Sequence, residues 1–151
     1  MHSGSTLASD DDLGARLTAL APDAPRRAAI AARAAADKKG TEILVLDVGD
    51  IISITEMFVL VSATNTRQVK TIAEEIELAL KIEDGIGPRA VEGMGDATWV
   101  LMDFGDVIVH VFLAETREYY DLDRLWADAA VVEWQTDAER DAERGTAGQS
   151  V

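Results

Sequence analysis

Apolar and polar positions along this chain alternate between two periods, and each change of period marks a new element. From Asp23 and Pro25 to Gly40 the pattern is helical, with Pro in the first turn and Gly just past the last. Between them Arg26 to Lys39 is alanine-rich, and Lys38 and Lys39 sit against the negative end of the helix dipole. Glu42 to Val48 has the near-continuous apolar run of a strand buried on both faces, and after a Gly49-Asp50 turn Met57 to Ser62 reads as a second strand. Asn65 and Gln68 then have the spacing of a capped helix start, and Val69, Ile72, Ala73, Ile76, Ala79 and Leu80 fall on one helical face. Gly85, Gly87 and Pro88 end that helix. A short edge strand through Ala90 and Val91 and a turn at Gly93 to Gly95 follow. Thr98 to Asp103 and Asp106 to Leu113 form a β-hairpin about Phe104 and Gly105, and Thr116 to Ala130 supplies one or two short helices.

This order predicts an α/β fold, a mixed β-sheet flanked by helices, with one parallel crossover through the long helix and an antiparallel hairpin near the end. At 151 residues, 48% of them hydrophobic, the chain can close one core but not several. Large apolar residues are scarce at both ends. A flexible N-terminal extension is therefore expected over 1–23, the domain over 24–130 and a flexible acidic tail over 131–151. Leu13, Leu17 and Leu20 allow an optional helix from Asp12 to Ala21.

Charge narrows the choice of function. Twenty-eight acidic residues against 14 basic ones leave a formal charge of −14, which repels phosphate backbones and argues against sequence-specific nucleic-acid binding. The absence of cysteine removes disulfides, thiolate metal sites and cysteine nucleophiles. No apolar run approaches the ~20 residues that span a bilayer. The first residues also lack the basic and apolar regions of a secretory signal, so the cytoplasm is the expected location.

The chain offers little for catalysis. With only His2 and His110, no histidine metal cluster can be assembled. Ser53 and Ser62 lie in no nucleophile elbow, and no phosphate-cradling glycine loop is present. Asp103-Phe104-Gly105 resembles a kinase triplet, but without the companion motifs it reads as turn chemistry. Asp121 and Asp123 have the spacing of a metal-binding carboxylate pair, which keeps a metal-dependent nucleotidyltransferase-like enzyme as the alternative reading. The competing explanation is that both acids open a helix and meet its positive end. His110 is either a hydrogen-bonded structural histidine or a polar contact for a partner. The aromatic residues Trp99, Tyr119, Tyr120 and Trp126 are core filling or hot-spot material, and Trp99 stands on a strand face that ends in charge.

Several stretches carry a family resemblance. Glu42 to Val48, Ser53-Ile54-Thr55 before Met57-Phe58-Val59, Arg67-Gln68-Val69, Val91-Glu92-Gly93, Trp99, Asp103 to Val111, and Tyr120 through Trp126 resemble the ribosomal silencing factor, or Iojap-like, family over roughly residues 26 to 130. Glu56 stands where the family usually has Asp, and Ser62 to Thr66 replaces a more glycine-containing loop. The resemblance implies a nucleotidyltransferase-like fold without enzymatic activity, cofactor or metal, and a homodimer in solution. It further implies binding to the large ribosomal subunit through the ribosomal protein numbered fourteen of that subunit, at the intersubunit face. Occupancy there would block subunit joining and lower translation when nutrients are scarce. By the same resemblance Trp99, Asp103, Asp106, His110 and Tyr120 fall near or on the partner-binding surface.

Overall fold

The computed structural model describes residues 23–52 and 54–135, so the optional helix at Asp12 to Ala21 and most of both expected tails lie outside the described residues. Helix α1 covers residues 23–37 and turns through Lys38 and Lys39 into Gly40. Gly40 is needed for space: a Cβ there would stand 2.7 Å from Val61 Cγ1 and 3.0 Å from the Ala35 carbonyl, while its N–H donates to that carbonyl at 2.9 Å. The chain continues through β1 (Thr41–Asp47), β2 (Met57–Ala63), α2 (Thr66–Asp84), β3 (Ala90–Glu92), β4 (Trp99–Asp103) and β5 (Val107–Leu113). It closes with α3 (Ala114–Tyr120), α4 (Leu122–Leu125) and β6 (Ala130–Val131).

Among the described residues six strands lie in the order β3-β4-β5-β2-β1-β6. Only β2 and β5 are parallel, in a register that pairs Met57 with Val107 and Leu60 with His110. Their crossover contains α2 and also β3 and β4; β4 pairs antiparallel with β5 as the hairpin expected from the sequence, and β3 pairs antiparallel with the outer side of β4.

The helix start at Asn65 forms much as its residues predict. Asn65 accepts from the Gln68 N–H at 2.8 Å, but the Gln68 side chain bonds the Thr64 N–H at 2.8 Å. The Gln68 amide also donates to the carbonyls of Lys38 and Lys39, which ties the start of α2 to the end of α1. At the other end of α2, Arg26 and Arg27 of α1 both pair with Asp84, and Arg27 with Asp106 at 2.9 Å. Hydrogen bonds from Arg27 and then Arg26 hold the Asp84 carboxyl below the usual carboxylate range.

Two features differ from the sequence expectation. The strand buried along its whole length is β2, whereas the first half of β1 is exposed or half-buried. The reason is topological: β2 lies between β1 and β5, but β1 has beyond it only β6, which pairs at Leu46 and Asp47 alone. In addition, the sheet continues past residue 130. Val131 pairs with Leu46, the Val132 N–H donates to the Val45 carbonyl at 2.8 Å, and Val132 and Trp134 pack against the core.

The sheet has two unlike faces. Val59, Val61, Val100, Met102, Val109 and Val111 point to α1 and α2 and form the main core with Ala28, Ala31, Ile72 and Ile76. The opposite face presents Phe58, Leu60, Phe112 and Ile108, covered in part by Leu122, Trp126 and Ala129. That incomplete cover defines the candidate site.

Candidate functional site

Alternation along β4 and β5 brings Trp99 and His110 together, and the end of α3 adds Tyr120, so three of the five sequence-singled residues meet. Trp99 on β4 pairs in register with Phe112, and Leu101 with His110, so Trp99 is diagonal to His110 across the strands. Its indole N–H donates to His110 Nδ1 at 3.1 Å. The Tyr120 ring, at the end of α3, lies 6.0 Å from Trp99. Trp99 is 36% exposed and Tyr120 58%, beside exposed Leu125 and Tyr119. Beneath them Phe58 meets His110 at 4.8 Å and Trp126 at 4.7 Å, both edge-on, and Phe112 stacks parallel to His110 at 5.8 Å. The result is an aromatic sheet face whose rim is open to solvent.

Electrostatics fix the state of His110. Burial, to 8% exposure, pushes its pKa down to about 4, so the ring is neutral at pH 7. Because Nδ1 accepts from Trp99, the ring proton resides on Nε2, which is buried with no hydrogen-bond partner among the described residues. His110 is thus a structural acceptor for Trp99, with its second ring nitrogen buried and unpartnered among the described residues.

Asp103 and Asp106 lie at the other end of the hairpin. Asp103 Oδ1 accepts from the Gly105 N–H at 2.8 Å, and Gly105 itself has φ +93°, as the tight turn requires. Asp106 Oδ2 holds Arg27, and its carbonyl accepts from the N–H groups of Glu56 and Met57. Asp106 also borders a separate cavity of about 460 Å³ with Arg27, Thr55, Arg89 and Phe104. These two acids shape the hairpin that carries Trp99 and His110; they do not touch the aromatic rim.

The carboxylate pair has a different environment from the one its spacing suggested. Asp121 takes a left-handed conformation, φ +51°, between α3 and α4, and neither acid caps a long helix, since α4 is four residues. Asp123 instead pairs with Arg117 Nε at 2.8 Å, and Asp121 with Arg124 at 3.0 Å. Among the described residues no three His, Asp or Glu side chains gather as a metal-binding group would require.

Arg117 is the site residue that sequence reasoning missed. It is 4% exposed, and besides Asp123 it donates from Nη1 to the Glu42 carbonyl at 2.7 Å and to Ser62 Oγ at 3.0 Å. Its guanidinium lies 5.8 Å from the centre of the Phe112 ring. Arg117 therefore bolts α3, and with it Tyr120, to β1, β2 and β5. In a segment as charged as Thr116 to Arg124 nothing in the residue pattern separates this arginine from its exposed neighbours.

Comparison with known proteins places this geometry in context. A family model described as ribosomal silencing factor during starvation matches residues 21–150. The chain is 41% identical over 104 residues to the ribosomal silencing factor of Bacillus subtilis, covering 69% of this chain and 87% of that protein. It is 33% identical over 114 residues to the chloroplastic Iojap protein of Zea mays, covering 72% of this chain and 47% of that one. Among solved structures, a protein from Chromobacterium violaceum superposes with a TM-score of 0.62 at 38% identity, covering 65% of this chain and 81% of its own. A Bacillus halodurans protein does so with a TM-score of 0.60 at 36% identity, covering 69% and 93%.

Proposed function

The chain belongs to the ribosomal silencing factor family, and from that premise we propose that it represses translation by occupying the large ribosomal subunit. The docking partner is the large-subunit ribosomal protein numbered fourteen, and the surface used is the intersubunit face. Bound there, the protein keeps the small subunit from joining by bulk alone. It acts in the cytoplasm, as a homodimer, when nutrients are limiting.

The observation that carries this reading is the open aromatic face. Trp99, Tyr120 and Leu125 stand exposed over a buried aromatic layer, and exposed aromatic residues on a rigid sheet are the material of protein-binding hot spots. Asp103 and Asp106 contribute by holding the hairpin in shape. The charge of −14 suits a basic ribosomal protein and disfavours loose adhesion to ribosomal RNA.

Steric occlusion needs no catalyst, cofactor or metal. The alternative, metal-dependent nucleotide chemistry, would need Asp121 and Asp123 free to hold a cation, yet each carboxylate already engages an arginine. Co-sedimentation with separated ribosomal subunits tests the docking proposal. The wild-type protein is expected to travel with large and not small subunits, and Trp99→Ala to weaken that binding by about 1 to 4 kcal/mol, as loss of a buried aromatic anchor does. Unchanged binding by a folded Trp99→Ala protein would refute the assignment of the face.

A further inference from the structure

A second apolar surface lies on the helix layer, on the other side of the sheet from the aromatic face. The core side of α2 is made by Val69, Ile72, Ala73, Ile76 and Leu80. Leu78 and Ile82 belong to a different side of that helix, one turn apart, and are 51% and 72% exposed. They border a groove of about 260 Å³ between α1 and α2, whose remaining apolar lining is Ile30, Ala34 and Ala79. Arg26 in the first turn of α1 pairs with Asp84 at the end of α2, so the chain enters α1 beside the Ile82 end of this groove.

We infer that residues 12–21 of the same chain, which lie outside the described residues, fold back along α1 as a further helix and lay Leu13, Leu17 and Leu20 into this groove. Three features select that occupant over a partner. The leucines recur at spacings of four and three, the narrow apolar seam with which one helix packs along another, and Leu78 and Ile82 offer the matching spacing of four. The reach is right: ten helical residues extend about 15 Å, close to the roughly 16 Å that separate Asp23 from Ala34 along α1. Pro22 stops the leucine-bearing helix just before α1 begins, leaving the short connection of an antiparallel helix pair. Charge agrees, since Asp37, Glu75 and Glu83 stand with Arg33 on the rim, and Arg16, the one basic residue of the segment, flanks the leucine seam. The matched family model begins at residue 21, so the inference concerns a part of this chain outside the family domain and is independent of the proposed docking function. Covered in this way, the helix layer no longer competes with the aromatic face as an apolar contact surface.

Two measurements on the full chain test the inference. The sequence has no cysteine, so introduced pairs report one contact without background. Leu78→Cys is combined in turn with Leu13→Cys, Ala15→Cys, Leu17→Cys and Thr18→Cys, and each variant is oxidised at low protein concentration and resolved on non-reducing gels. A tether alone gives a rate that changes smoothly with position, whereas a docked helix gives a periodic one. Leu13→Cys and Leu17→Cys are expected to form the intramolecular disulfide about tenfold faster than Ala15→Cys and Thr18→Cys, which stand on the opposite side of the helix. Ala15→Pro, added to the Leu17→Cys and Leu78→Cys pair, is expected to remove that advantage by breaking the helix without touching the seam. Equal rates at these positions overturn the inference, and disulfide-linked dimers overturn it in favour of a contact between two copies. In the second measurement, trypsin cleavage after Arg16 is timed by mass spectrometry in wild type and in Leu78→Asp with Ile82→Asp. Both replacements are at exposed positions and spare the core, and cleavage is expected to become about tenfold faster as the segment is released. Unchanged cleavage in the folded variant overturns the inference.

Discussion

Replacing Arg117 should reveal how the aromatic face is held in place. Arg117→Met keeps most of the aliphatic volume beside Phe112 but removes all four hydrogen bonds, two to Asp123 and one each to the Glu42 carbonyl and Ser62 Oγ. Asp123 is 53% exposed and regains water, so its lost pairing costs little. The fully buried Ser62 hydroxyl is different: it keeps only the long 3.5 Å bond to Glu42 Oε2, and a poorly satisfied buried polar group costs about 1 to 3 kcal/mol, whereas the Glu42 carbonyl belongs to an exposed residue. The expected loss is about 2 kcal/mol, within the range for breaking a buried polar contact. By contrast, Asp123→Asn leaves the guanidinium bonded to Glu42 and Ser62 and should cost about 1 kcal/mol. Urea unfolding followed by tryptophan fluorescence measures both, with constant m-values as the check that the unfolded states match. If Asp123→Asn is as damaging as Arg117→Met, the stabilisation lies in the ion pair and not in the buried bonds, and the reasoning is refuted.

Other outcomes follow from the same structure. The pKa of His110 is lowered from 6.5 to about 4, so the stability its neutral form contributes is complete above pH 6.5 and is lost as pH falls through 4. Folding should therefore weaken by up to about 3 kcal/mol over that window, and the difference between wild type and His110→Phe in urea unfolding at pH 7, 5 and 4 should shrink accordingly; a pH-independent difference would contradict it. Gly93 has φ +92°, and a Cβ there would stand 2.1 Å from the Trp99 carbonyl oxygen. Gly93→Ala should cost more than about 2 kcal/mol and displace β4, seen as a changed Trp99 indole signal, whereas a neutral substitution would show that this turn can rearrange freely.

The residues that disclosed themselves in the sequence are those whose role is local. Asn65 and Gln68 reveal a helix start because a cap is decided within four residues, and Asp103 with Gly105 reveals the hairpin because the turn bonds within itself. Alternation likewise exposes Trp99 as a surface residue. Properties that depend on which strands become neighbours are not written locally. The double burial of β2 instead of β1 follows from sheet order, and the Trp99–His110 bond from the register of β4 against β5. Arg117 is the extreme case: its partners on β2 and β1 are 55 and 75 positions away, so no window along the chain contains them. Trp134 resembles a tail residue for a related reason, since only the pairing of β6 with β1 carries it back to the core.

Subunit joining is the most direct test of the central claim. Purified large subunits are preincubated with a saturating excess of the protein, small subunits are mixed in, and association is followed by light scattering. The account predicts strongly slowed and incomplete joining, relieved when folded Trp99→Ala replaces wild type. Joining at the rate and extent seen without the protein would contradict it.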